Sequence, residues 1–170
     1  MSDPHDLTAA TKFALRLETS CRAFETLRAI IKGSLVLIDA QGEQQLQATA
    51  AIRMALAQEF IANAARARRV LDTAKAEIPI SKEARKSFLS ETASVVDVRD
   101  VNEHGLDNRH VKSKPTMHDH GEGSVDEFSL AVFGPDQILM GSLNLVDVYT
   151  VVAEMRDLAG FQALSKWDVG

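Results

Sequence analysis

Residues 43–76 constrain the fold most. They contain no Pro or Gly, and Leu46, Ala50, Met54, Ala57, Phe60 or Ile61, Ala64 and Leu71 fit a stripe with helical spacing. That period places the apolar side chains on one side of a long helix, which Pro79 must stop. Residues 6–32 repeat the pattern with Phe13, Leu17, Cys21, Phe24, Leu27 and Ile31, and Gly33 is placed to end the run. Two long amphipathic helices joined by a turn at Asp39–Gly42 predict an antiparallel helical hairpin. Leu35–Ile38, between them, reads either as an extension of the first helix or as a short buried strand.

A third helix is expected over 81–104, with Ser81 as its N-cap, Phe88, Leu89, Thr92, Val95 and Val96 on its apolar face, and Gly105 as its C-terminal cap. Residues 105–124 are polar and aperiodic, which predicts a mobile loop. Over 126–142, alternation around Phe128, Leu130 and Val132, followed by Gly134-Pro135-Asp136, predicts a small β-hairpin. A last helix is expected at about 144–159, with Asn144 as its cap, Leu145, Val148, Val152 and Met155 facing inward, and Gly160 as its end. The expected class is therefore mainly α: one domain over 1–170, a helical bundle with a β-hairpin before the C-terminal helix. The 5% aromatic content fits, since alanine-rich, aromatic-poor cores suit close-packed helices better than sheets.

Charge and cysteine content narrow the function classes. The net charge is −5. Residues 1–80 carry ten basic and nine acidic side chains, and residues 81–170 carry nine and fifteen. A general affinity for nucleic-acid backbones is disfavoured, and a local polyanion site belongs in the first half. Cys21 is the single cysteine, so no intrachain disulfide can form, and its place on an apolar stripe predicts a buried structural thiol. The polar N-terminus does not have the pattern of a signal peptide, and no apolar run is long enough for a membrane span. A soluble, cytoplasmic protein without membrane association is expected. Faces left uncovered by helices of unequal length predict a homodimer.

Three groups of residues could carry chemistry. The first is Arg99-Asp100-Val101-Asn102-Glu103-His104. Arginine offers a fork of donors suited to phosphate, and histidine exchanges protons near neutral pH. The same spacings also make ordinary i,i+4 pairs, Arg99 with Glu103 and Asp100 with His104. On a continuous helix, five residues leave the two side chains about 140° apart, so convergence on one phosphate calls for a two-fold dimer or local unwinding.

Arg99, Asp100 and His104 resemble the signature of the HEPN superfamily, in which an arginine and a polar residue are followed after a short gap by a histidine near the end of a late helix. The resemblance implies a small helical domain. It also implies a metal-independent ribonuclease of toxin or defence type, with the motif gathered at a dimer interface. His104 would act as acid–base group, Arg99 would stabilise the phosphoryl group, and Asp100 would orient one of them.

The second group is Arg66, Arg68 and Arg69, with Arg53 and Lys75, on the long helix. They form either an RNA-binding face or a solvated one. The third comprises His110, His118 and His120, whose imidazoles could hold zinc or a similar ion. No Gly-rich phosphate loop and no HExxH motif is present, so no cofactor is expected.

Overall fold

The computed structural model describes residues 7–43, 45–104, 115–121 and 123–165. It is mainly helical, with two small antiparallel sheets. Helix α1 spans Ala9–Ile31 and starts on Thr8, whose hydroxyl accepts the Thr11 N–H at 3.2 Å. Phe13, Leu17, Cys21, Phe24 and Leu27 are wholly buried along it, as their spacing requires. Gly33, at φ +75, closes the helix where expected, and the Ser34 N–H folds back to the Ala29 carbonyl.

Helix α2 spans Leu46–Thr73. Its first turns differ from the expected stripe, since Ala50 and Ile52 are exposed, and burial begins in earnest at Ala57. From there Phe60, Ile61, Ala64, Ala65, Ala67 and Leu71 face inward. The alanines let α1 and α2 approach closely. The Ser20 hydroxyl donates to the Phe60 carbonyl at 2.8 Å and Arg16 donates to Asn63 at 3.2 Å, so later residues of α1 meet earlier residues of α2. Between the two helices, Leu35, Val36 and Ile38 neither extend α1 nor form a buried strand. They are exposed, Ile38 to 65%. The turn itself is as expected: Asp39 Oδ1 accepts the N–H groups of Gln41 and Glu43, and Gly42 has φ +82.

The expected third helix is two helices, α3 (Lys82–Glu91) and α4 (Ala93–His104). The break is at Thr92, which is fully buried. Its hydroxyl donates to the Phe88 carbonyl at 2.6 Å, and Arg68 of α2 donates to both the Leu89 carbonyl and the Thr92 hydroxyl. A half-buried arginine fork that satisfies freed helical acceptors makes the interruption tolerable. Ser81 caps α3 as expected, accepting the Ala84 N–H.

Two small antiparallel sheets follow. Strand β1 (His118–Asp119) pairs with β2 (Ser124–Val125), within the segment expected to be a loop. The part of that segment over 105–114 lies outside the described residues. Strand β3 (Ala131–Gly134) pairs with β4 (Gln137–Met140) around Pro135-Asp136, and β4 pairs in turn with β5 (Leu143–Asn144). The predicted hairpin is thus shorter than 126–142 and has a third strand. Helix α5 spans Leu145–Ser165 and is capped by Asn144, whose Oδ1 accepts the Val146 N–H at 3.2 Å. Gly160 does not end it. A glycine inside a helix costs only about 1 kcal/mol, and here Ala159 is buried in the core beside it.

The core lies where these elements meet. Phe13 meets Phe88 edge-on at 6.1 Å, Phe24 lies 5.1 Å from Phe60, and the Tyr149 ring of α5 stacks on Phe24 at 4.5 Å. Arg156 and the Tyr149 hydroxyl both donate to Glu25, tying α5 to α1.

Candidate functional site

Helix α4 buries Val95, Val98 and Val101, which recur at three-residue steps. That burial turns Arg99 and Asn102 toward α2, where the two helices pack. The Arg99 guanidinium donates through Nε (2.9 Å) and Nη2 to Asp100 Oδ1, and its Nε lies 3.8 Å from Glu103 Oε2. His104 Nε2 lies 3.8 Å from that same Glu103 oxygen.

The helical twist alone would set Arg99 and His104 apart. Instead both side chains bend to the carboxylate between them, within one chain and without unwinding of α4. Arginine's long flexible stem allows this. Of the two expected helical pairs, Arg99–Glu103 is present, while Asp100 is engaged by Arg99.

Two cavities flank Arg99 along the α2–α4 groove. One, of about 420 Å³, is lined by Glu59, Arg66, Arg99, Asn102 and Glu103 among others. The other, of about 290 Å³, is lined by Arg68, Arg69, Asp72 and Arg99 with Ala65 and Val96. Arg99, Asn102 and Glu103 of the first group of sequence candidates and Arg66, Arg68 and Arg69 of the second, some thirty residues away in the chain, therefore share one groove, while Asp100 and His104 line neither cavity. Their roles differ. Arg68 is committed to the Leu89 carbonyl and Thr92, whereas Arg66 and Arg69 are exposed.

The histidines point elsewhere. His110 lies outside the described residues. His118 Nε2 lies 2.7 Å from Oε1 of Glu127, and the other Glu127 oxygen accepts the Thr116 N–H at 2.9 Å. His120 Nε2 donates to the Gly141 carbonyl at 2.7 Å. A carboxylate and a carbonyl are acceptors, so each Nε2 presents its proton there. Among the described residues, no group of three His, Cys, Asp or Glu side chains is arranged to hold a metal ion.

Glu127 is the polar residue that sequence reasoning missed. It is only 4% exposed, and Asn102 Nδ2 donates to its backbone carbonyl at 2.8 Å. Asn102 lies within the Arg99–His104 run, so that run also anchors the segment that follows it. Nothing in the pattern around Glu127 marks it as buried, because its partners are distant in sequence.

Cys21 is the structural thiol expected. Burial pushes it up to about 12, against a smaller opposing effect of Arg156.

Together these features define a mainly helical protein with an arginine-lined groove between α2 and α4. No protein-family model, curated protein or solved structure matches the chain. Among the described residues, no helix is long and apolar enough to cross a membrane.

Proposed function

We propose that the chain is a HEPN-like endoribonuclease of toxin or defence type. In this reading it is a helical bundle built on the α1–α2 hairpin, and it acts as a homodimer on RNA through Arg99 and His104. The observation that supports it is the convergence of these two side chains on Glu103, at the wall of a cavity that Arg66 also lines.

The chemistry is a transesterification. His104 takes the proton from a ribose 2′-hydroxyl. The 2′-oxygen attacks the adjacent phosphorus, and the bond from phosphorus to the 5′-oxygen breaks. That oxygen leaves with a proton supplied by a protonated imidazole, which His104 of a second copy can provide. The products are a 2′,3′-cyclic phosphate and a 5′-hydroxyl. Arg99 donates to the non-bridging oxygens as charge builds on them, and Asp100 holds its fork in plane.

Incubating the purified protein with labelled RNA tests this. Arg99→Ala and His104→Ala should each lower cleavage by roughly 100-fold or more, the usual contribution of such groups, with the helical circular-dichroism signal retained. Intact RNA after incubation with the unaltered protein would remove the proposal.

A second reading has its own support. Asp100 and Glu103 already offset the charge of Arg99, as in an ordinary helix-surface network. On that reading the chain is a non-catalytic homodimeric interaction protein. It would cleave no RNA, sediment as a dimer, and keep its assembly when Arg99 is replaced by Ala.

A further inference from the structure

Arg99 is the conspicuous cation of the groove, yet it is not the one best placed to attract an anion. Its guanidinium is engaged by Asp100 and Glu103. Arg68 is engaged by the Leu89 carbonyl and Thr92. The groove's carboxylates are held as well: Asp72 is paired with Lys75 at 3.2 Å, Glu59 accepts from Asn63 at 2.6 Å, and Glu103 faces Arg99 and His104.

Arg66 and Arg69 differ. Both are exposed, and neither guanidinium makes an ion pair or hydrogen bond among the described residues. Arg66 lines the larger cavity and Arg69 the smaller one, with Arg99 shared between them. Three residues apart on α2, they are surface neighbours, with Cβ atoms about 5–6 Å apart. Two uncompensated guanidinium groups in adjacent cavities suit two linked phosphates better than a single one.

We infer that Arg66 and Arg69 form a two-phosphate rail on α2 that seats consecutive phosphates of a single-stranded nucleic acid across Arg99. The inference rests on the ribonuclease reading for its choice of ligand. The smaller cavity, where Arg69 is unpaired and the one carboxylate, Asp72, is already paired with Lys75, is the stronger phosphate position. The larger cavity is weaker, because the negative charge of Glu59 is met there by a neutral amide. The rail recruits the strand, and Arg99 exchanges a carboxylate for phosphate only after the strand has arrived.

Binding measured without cleavage separates this inference from the nuclease reading. The probe is a single-stranded oligoribonucleotide with 2′-O-methyl riboses, which offers no nucleophilic hydroxyl, titrated with the full chain by fluorescence anisotropy over a salt series. Each phosphate contact contributes about 0.7 to the slope of log affinity against log salt for single strands. Arg66→Gln/Arg69→Gln should therefore lower the slope by about 1.4 and weaken binding by tenfold or more at low salt. Lys82→Gln/Lys86→Gln removes two exposed cations of α3 and should change neither quantity.

Equal slopes for the unaltered protein and the Arg66→Gln/Arg69→Gln variant would overturn the rail. So would an equal loss in the α3 variant, which would mean diffuse attraction. Either result leaves the nuclease reading standing if Arg99→Ala and His104→Ala still abolish cleavage of ordinary RNA. A protein that neither binds the probe nor cleaves RNA loses both.

Discussion

Arg99 Nε lies 3.8 Å from Glu103 Oε2, a carboxylate one helical turn further along α4. The separation permits attraction without a tight hydrogen bond, so an incoming phosphate can displace the carboxylate. If the groove takes a phosphate as proposed, Glu103 competes with it. Glu103→Gln keeps the shape and removes the charge. It should raise affinity for the 2′-O-methyl oligonucleotide by roughly threefold to tenfold, as expected for one partly exposed like charge removed from a phosphate site. Unchanged anisotropy titrations would show that Glu103 does not oppose binding.

Among the described glycines, Gly141 has the least room for a side chain. It adopts φ +56, and a Cβ there would lie 2.8 Å from Glu127 Cγ and 3.1 Å from Val98 Cγ2. Gly141→Ala combines backbone strain with a clash inside the core. It should destabilise the protein by about 2–4 kcal/mol, visible as a lower thermal midpoint. An unchanged midpoint would mean that Glu127 and α4 move aside freely.

Arg68 tests whether the groove's arginines are interchangeable. Its fork satisfies the Leu89 carbonyl and the Thr92 hydroxyl at the α3–α4 break. Arg68→Ala should cost about 1–3 kcal/mol, the penalty for leaving buried acceptors unpaired, while the salt dependence of oligonucleotide binding stays close to that of the unaltered protein. A full loss of salt dependence with no loss of stability would reverse the roles assigned to Arg68 and Arg69.

Alkaline pH acts on the core through Cys21 and Tyr149. Burial raises Cys21 from 9.0 to about 12. Burial, and then the Glu25 carboxylate, raises Tyr149 from 10.0 to about 12. In each case the unfolded chain loses its proton first, so unfolding is favoured as pH rises. Stability from these groups is complete below about pH 9 and declines toward pH 12. Denaturant midpoints should fall over that window, and Cys21→Ala should flatten part of the decline. At pH 8 the folded thiol should resist alkylation, since the thiolate is the reactive form. Rapid labelling under native conditions would contradict its burial.

The helices were legible because their information is local. The stripe Phe13, Leu17, Cys21, Phe24, Leu27 and the caps Ser81 and Asn144 follow from residues within a turn or two. The break at Thr92 depends on Arg68, 24 positions earlier, so the local pattern could only suggest one continuous helix. Gly160 shows the converse: a local stop signal is overridden where the helix is packed. The burial of Glu127 depends on His118, Thr116 and Asn102, none of which marks it in the sequence. The Arg99–His104 motif was legible as residue types, but its convergence on Glu103 was not. A helical wheel places Cβ atoms, and long side chains choose their partners afterwards.

If Arg99 and His104 together cleave RNA by transesterification without a metal ion, the new ends of the fragments carry the record. RNA incubated with the protein in excess chelator should yield fragments ending in 2′,3′-cyclic phosphate and 5′-hydroxyl on end-group analysis, formed by the unaltered protein and lost with Arg99→Ala and with His104→Ala. RNA that stays intact, or fragments that form equally well with both variants, would contradict it.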